Sequence, residues 1–431
     1  MSLFDLLAVI VSVTALAAWV NHRFIRLPTT IGVMMIALVG SLVLVLLGRV
    51  GLGVAAVLER TLETFDFDAA LLNGMLGALL FAGALHLDLN DLARQKRIIA
   101  LLATVGVVVS TALVGVAAWG VFHLLGLGVP WGYCLLFGAL ISPTDPIAVG
   151  AILTKVGVPS SLQVKISGES LFNDGIGVVV FLLLLGIVTA EHDVTVRTVG
   201  ELVLIEVVGG LAYGALIGWI AYRMLKSIDQ YQVEILATLA IVTGGYALAL
   251  HLHVSGPLAM VVAGLLIGNR GRSLAMSDRT RERLDSFWEL VDEFLNAVLF
   301  VLIGVEVVVL RLDVAPLLAG LLMIPVVLGA RFVSVGGAVQ LLRRLRGFSA
   351  HAVKILTWSG LRGGISVALA LSLPPGPERG TLLTATYVIV CFSIVVQGLT
   401  VGPLVRRLYG RPASDIETGA AQSEAGSGQR P

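Results

Sequence analysis

Between Ile235 and Asn269 the chain carries no Asp, Glu, Lys or Arg. A helix rises ~1.5 Å per residue and a hydrocarbon layer is ~30 Å thick, so about 20 apolar residues make one crossing. This run is too long for one crossing, and Ser255-Gly256-Pro257 is its natural break. Comparable runs recur along the whole chain. Of its 431 residues 57% are hydrophobic and 13% charged, whereas about a quarter of an ordinary globular domain is charged. A soluble globular protein is excluded. Long uncharged runs, rather than ten-residue alternation, also exclude an outer-membrane barrel. The expected class is an all-α polytopic membrane protein with the lipid bilayer as its main partner. A net charge of +1 favours no nucleic-acid partner. Cys134 and Cys391 each lie inside an apolar run and imply no disulfide framework. The opening Met1-Ser2-Leu3-Phe4-Asp5 lacks a basic region, so the first span reads as a retained helix.

Gly, Pro and charge clusters divide the chain into thirteen expected spans: roughly 4–21, 28–48, 69–88, 98–122, 132–154, 162–190, 199–223, 232–251, 256–269, 291–310, 314–341, 351–373 and 380–405. Residues 54–65 and 272–290 read as short interfacial helices of mixed charge. The polar tail 411–431 reads as a disordered cytoplasmic segment. With the N-terminus outside, the cytoplasmic segments hold twenty-two of the 29 Lys and Arg and the outer ones five. That asymmetry predicts a cytoplasmic C-terminus. The remaining two, Arg331 and Arg362, fall within spans.

Two spans contain breakers. Span five has Pro143 and Pro146 around Asp145, and span twelve has Gly360, Gly363 and Gly364 around Arg362. Seven spans apart, they run in opposite directions, which is the pattern of an inverted repeat with one discontinuous helix in each half. Broken helices leave positive N-terminal and negative C-terminal ends inside the membrane. Asp145 is placed to offset the former and Arg362 the latter.

Spans five and six form a hairpin that gathers most of the chemistry. Asp145 lies ten residues before Lys155, and Asp174 nine after Lys165, on either side of the turn. Both carboxylates therefore reach about the same depth, ~14 Å from the turn and close to mid-membrane. Ionisable groups at that depth are costly and functional by default. A dehydrated alkali cation needs about five or six oxygen ligands. Thr144, Asp145, Ser170 and Asp174 can supply several, with Ser170 and Asp174 at i, i+4 on one helix face. A proton and a cation then compete for the same oxygens, which is the requirement for exchange. The alternative is a structural hydrogen-bonded pair. Glu169 and Asn173 form a second i, i+4 pair. Glu169 needs a buried base; of the two available, Arg331 is the natural match, in a structural ion pair, and Arg362 is the alternative. Asn173 cannot take a proton. Glu206 and Glu306, near outer span ends, read as interface carboxylates, and His86, His123, His251 and His253 as interfacial.

Two strings carry a resemblance: Ser-Pro-Thr-Asp-Pro at 142–146 and Gly-Glu-Ser-Leu-Phe-Asn-Asp-Gly at 168–175. With Gly-Leu-Arg-Gly-Gly at 360–364 and Phe-Ala-Gly-Ala-Leu-His-Leu-Asp at 81–88, the chain resembles the monovalent cation:proton antiporters, which include the bacterial NhaP-type and animal NHE-type sodium/proton exchangers. The resemblance covers all thirteen spans. It implies an inverted-repeat homodimer in a transmembrane domain 1–410. A core (roughly 98–190 and 314–405) would move as an elevator against a dimerisation scaffold (roughly 4–88 and 199–310). It puts Asp174, Asp145, Thr144 and Ser170 at the ion, Asn173 beside it, and Glu169 against Arg331. Many members carry a Glu directly after Leu-Leu-Phe in span three; here that residue is Ala82.

The expected function is secondary exchange of Na⁺, or of Li⁺ or K⁺, for H⁺, with no cofactor and no enzymatic activity, in the bacterial inner membrane. The Asn173-Asp174 pair predicts 1:1, electroneutral coupling, because relatives with that pair tend to be electroneutral. A cation channel and a K⁺-selective exchanger are the competing readings; a channel would move charge without a required counter-proton.

Overall fold

The structure is a computed structural model that describes residues 3–49, 74–145, 150, 153, 160–189, 196–272, 276–306, 313–342 and 351–409. The expected helix 54–65, Pro146, Lys155, Arg311, the side chain of Glu306 and the tail 411–431 lie outside the described residues.

The described chain is helical throughout. In order it forms α1 (Leu3–Val20), α2 (Thr29–Arg49), α3 (Leu76–Leu85), α4 (Leu89–Leu101), α5 (Val107–Leu124), α6 (Trp131–Ile141), α7 (Ser160–Val188), α8 (Val196–Val203), α9 (Gly210–Leu225), α10 (Tyr231–Ala240), α11 (Tyr246–His251) and α12 (Gly256–Leu266). These are followed by α13 (Asp278–Glu306), α14 (Val314–Leu342), α15 (Ala352–Trp358), α16 (Gly364–Leu371), α17 (Pro377–Phe392) and α18 (Gly398–Tyr409). Single π turns join several of them into longer rods, as at Leu102–Gly106 between α4 and α5 and Ser393–Gln397 between α17 and α18. Seven continuous helical stretches among the described residues are long and apolar enough to cross a bilayer; α2, α3 and α6 supply shorter apolar segments.

Large apolar side chains face outward along these rods, including Leu204 at 61%, Trp219 at 55% and Phe332 at 54% exposure. In water such a surface would aggregate; in lipid it is the matched one. Inside, α5 crosses α6 closely because Gly138 has no side chain. A Cβ there would lie 2.2 Å from the Thr111 carbonyl oxygen. One large apolar cluster unites α3, α4–α7 and α12 with α14–α18, while α1, α2 and α13 share smaller ones.

One expected boundary changes. Residues 272–290 are not a separate interfacial helix followed by a span at 291. From Asp278 to Glu306 the backbone is one helix, with Leu284 and Trp288 fully buried. No Gly or Pro interrupts it before Gly304. The charges of its first half therefore ride on the same rod as the apolar second half, and Asp292 stands near the middle of that rod.

Both expected breaks are present. α6 ends at Ile141 and the chain runs extended through Pro143, Thr144 and Asp145. α15 ends at Trp358 and α16 begins at Gly364, with Ser359–Gly363 non-helical between them. The two extended stretches meet: Asp145 N–H donates to the Leu361 carbonyl at 2.8 Å in an isolated antiparallel bridge. That bond satisfies one donor and one acceptor which neither helix can.

Candidate functional site at the crossing of two broken helices

α7 passes beside this crossing and presents Glu169, Ser170, Asn173 and Asp174. Asn173 holds the extended strand in register. Thr144 N–H donates to Asn173 Oδ1 at 3.2 Å, and Asn173 Nδ2 donates to Thr144 Oγ1 at 2.8 Å. Thr144 Oγ1 and Ser170 Oγ share a hydrogen bond of 3.0 Å. Further back, Ser142 Oγ donates to the Gly138 carbonyl at 2.7 Å and lies 2.9 Å from Ser110 Oγ, closing the end of α6.

Asp145 and Asp174 line one cavity of about 90 Å³. Gly363, immediately before α16, determines how Asp145 sits. A Cβ on Gly363 would lie 2.2 Å from Asp145 Oδ2. The carboxylate thus packs directly against the backbone at the N-terminus of α16, where unpaired amides and the helix dipole favour an anion. Gly363 is needed for this close approach alone, since its backbone is extended (φ −125°) and open to any residue. Asp145 and Arg362 are the charges that act on Asp174.

The opposite end of the break is served by three donors. Arg331 Nη2 reaches the Leu356 carbonyl at 3.3 Å, Gln397 Nε2 the Trp358 carbonyl at 3.0 Å, and Arg362 Nη1 the Gly360 carbonyl at 3.1 Å. The Arg362 N–H donates to Ser393 Oγ at 2.8 Å. Arg331 Nη1 also pairs with Glu169 Oε1; both side chains are buried.

Ser393, Gln397 and Asp292 were not among the residues singled out from sequence. Ser393 and Gln397 are neutral polar residues in an apolar run, a weak signal on its own. Asp292, which lines the same cavity as Asp145 and Asp174, is hidden in sequence by the charges around it.

Two discontinuous helices crossing over a cavity lined by three carboxylates, inside a helical membrane bundle, are the architecture of a secondary transporter for a cation. Residues 10–407 match the model of the transmembrane sodium/hydrogen exchanger family, and the chain belongs to that family. It is 51% identical over 421 residues to the Na⁺/H⁺ antiporter NhaP of Pseudomonas aeruginosa, covering 96% of this chain and 99% of that protein. It is 33% identical over 411 residues to the Na⁺/H⁺ antiporter NhaH of Halobacillus dabanensis, covering 94% and 96%. The sodium proton antiporter MjNhaP1 of Methanocaldococcus jannaschii superposes with a TM-score of 0.73 at 19% identity, over 95% of this chain and 99% of that one, and shares its fold.

Proposed function

We propose that Asp145 and Asp174, with Thr144 and Ser170, hold one dehydrated Na⁺, and that Asp174 takes up a proton when the cation leaves. The chain is an integral membrane protein and, by its family, a secondary active cation/proton antiporter rather than an enzyme. The observation that carries the site is the delivery of Asp145 and Asp174 to one cavity at the crossing of the broken helices. Na⁺ is favoured over Li⁺ and K⁺ because the two relatives named above are called Na⁺/H⁺ antiporters. Oxygen ligands at a broken helix suit a small hard cation.

On this reading one proton leaves for each monovalent ion bound. Asn173 cannot titrate, and it is occupied in holding Thr144. Glu169 is neutralised by Arg331 and serves as a structural pair, while Arg362 compensates the broken helix. The thirteen-span inverted repeat, the core and scaffold division, elevator motion, a homodimer and an inner-membrane orientation with a cytoplasmic C-terminus complete the proposal.

The test is exchange in proteoliposomes followed with a pH dye, adding Na⁺, Li⁺ and K⁺ in turn. Na⁺-driven proton movement that vanishes in Asp174→Asn is the expected result. Undiminished exchange in that variant would overturn the site.

A further inference from the structure

We propose that Asp292 is a third carboxylate of the cation site, supplied by α13 from outside the hairpin and the broken helices. The inference rests on the antiporter reading above. It starts from the walls of the cavity. α3 contributes only apolar side chains and Gly83, although a membrane helix facing an ion site is where an acid would be useful. α13, which packs on both α3 and α16, contributes Asp292 and Leu299. The charge of Asp145 acts on Asp292, as do those of Glu289 and Glu293 on its own helix.

Other acids of α13 have different fates. Asp285 pairs with Arg272, and Glu289 and Glu293 are exposed. Asp292 is partly buried, faces the cavity and forms no ion pair among the described residues. A carboxylate that faces the cavity beside Asp145 without a base of its own is best served by a cation. Asn296, one turn on, holds Asp292 in place through its side chain. It is 1% exposed, its Nδ2 donates to the Asp292 carbonyl at 2.7 Å, and its Oδ1 is buried with no hydrogen-bond partner among the described residues. Asp292, Asn296 and Leu299 follow one another at i, i+4 and i+7, so they share one face of the helix. Asp292 raises the affinity of the cavity for the incoming cation, while Asp145 and Asp174 carry the exchange.

The full chain in proteoliposomes tests this, with the Na⁺ dependence of exchange measured for wild type, Asp292→Asn, Asp292→Ser and Asp292→Glu. Removing one unit charge several ångströms from the ion, in a partly screened interior, raises KM for Na⁺ by roughly tenfold. The maximal rate stays within about twofold, and Asp292→Glu recovers most of the affinity. A wild-type KM in both neutral variants overturns the proposal, as does a fall in maximal rate without a change in KM. If neither neutral variant elutes as a monodisperse protein, Asp292 is structural and the proposal falls. Asp174→Asn in the same assay separates the two readings. If it is inactive while Asp292→Asn is normal, only this proposal fails; if it exchanges normally, the site itself is wrong.

Discussion

Glu169 and Asp174 stand five residues apart on α7, and both are almost fully buried, at 1% and 5% exposure. Their surroundings differ in one respect. Glu169 meets the guanidinium of Arg331, which also holds the last turn of α15. Asp174 opens on the cavity and has a second carboxylate, Asp145, as its neighbour. A buried acid in contact with a fixed cation is an architectural brace; a buried acid that shares a cavity with a second carboxylate, with Arg362 acting on it but no ion pair among the described residues, is free to take a mobile cation or a proton. One helix thus carries both, and the difference is set by which face each residue occupies.

The sharpest way to break this contrast is to neutralise each acid in turn. Asp174→Asn is expected to abolish exchange while leaving thermal stability in detergent close to wild type, because no ion pair is broken. Glu169→Ala is expected to do the reverse. It strands Arg331, and losing one partner of a buried pair typically costs about 3–5 kcal/mol. Thermal unfolding at a much lower temperature, or failure to accumulate in the membrane, is the expected readout. A stable Glu169→Ala protein whose only defect is cation affinity would move Glu169 from brace to ligand.

A smaller effect sharpens the same distinction through two glycines on either side of Arg362. A Cβ on Gly363 would meet Asp145 Oδ2 at 2.2 Å; one on Gly360 would meet Arg331 Nε at 2.8 Å. Gly363→Ala is therefore expected to displace the Asp145 carboxylate and weaken cation affinity by about tenfold, the scale of one lost charge-assisted contact. Gly360→Ala presses on the brace and is expected to lower stability first. Parallel Na⁺ titrations and thermal melts of the two variants check this; identical profiles would erase the difference between the two sides.

How much of this is legible in sequence follows from what is rare in a membrane span. Pro143, Gly360, Gly363 and Gly364 stand out because helix breakers in apolar runs are few, and both breaks occur where these residues lie. Asp145, Glu169, Asp174, Arg331 and Arg362 stand out because charge at that depth is expensive. Asp292 does not stand out. It falls in the first turn of the expected span 291–310, next to an expected interfacial helix of mixed charge, where acids such as Asp285, Glu289 and Glu293 are ordinary, until α13 is seen to be one uninterrupted helix. Ser393 and Gln397 are missed for the opposite reason: a neutral polar group in a span is affordable, so its presence signals little. Their use depends on which carbonyls the break in α15–α16 leaves open, a tertiary fact.

The smallest expected effect is none, and it tests the stoichiometry directly. Asn173 is committed to Thr144 and Glu169 to Arg331, and on the proposed reading Asp174, of the three carboxylates in the cavity, is the one that trades one proton for one monovalent cation. Each cycle then moves one positive charge each way and no net charge. Moving a net elementary charge across 100 mV is worth about 2.3 kcal/mol, enough to shift an exchange equilibrium by well over tenfold. A membrane potential clamped with K⁺ and valinomycin at fixed pH gradient should therefore leave both the rate and the end-point of Na⁺ exchange unchanged, whereas a pH gradient alone should drive it in either direction. If the end-point follows the clamped voltage, a second carboxylate gives up its proton in the cycle. Asp145 and Asp292 are then the candidates, and the voltage dependence of Asp292→Asn decides between them: it persists if Asp145 is the second group and disappears if Asp292 is.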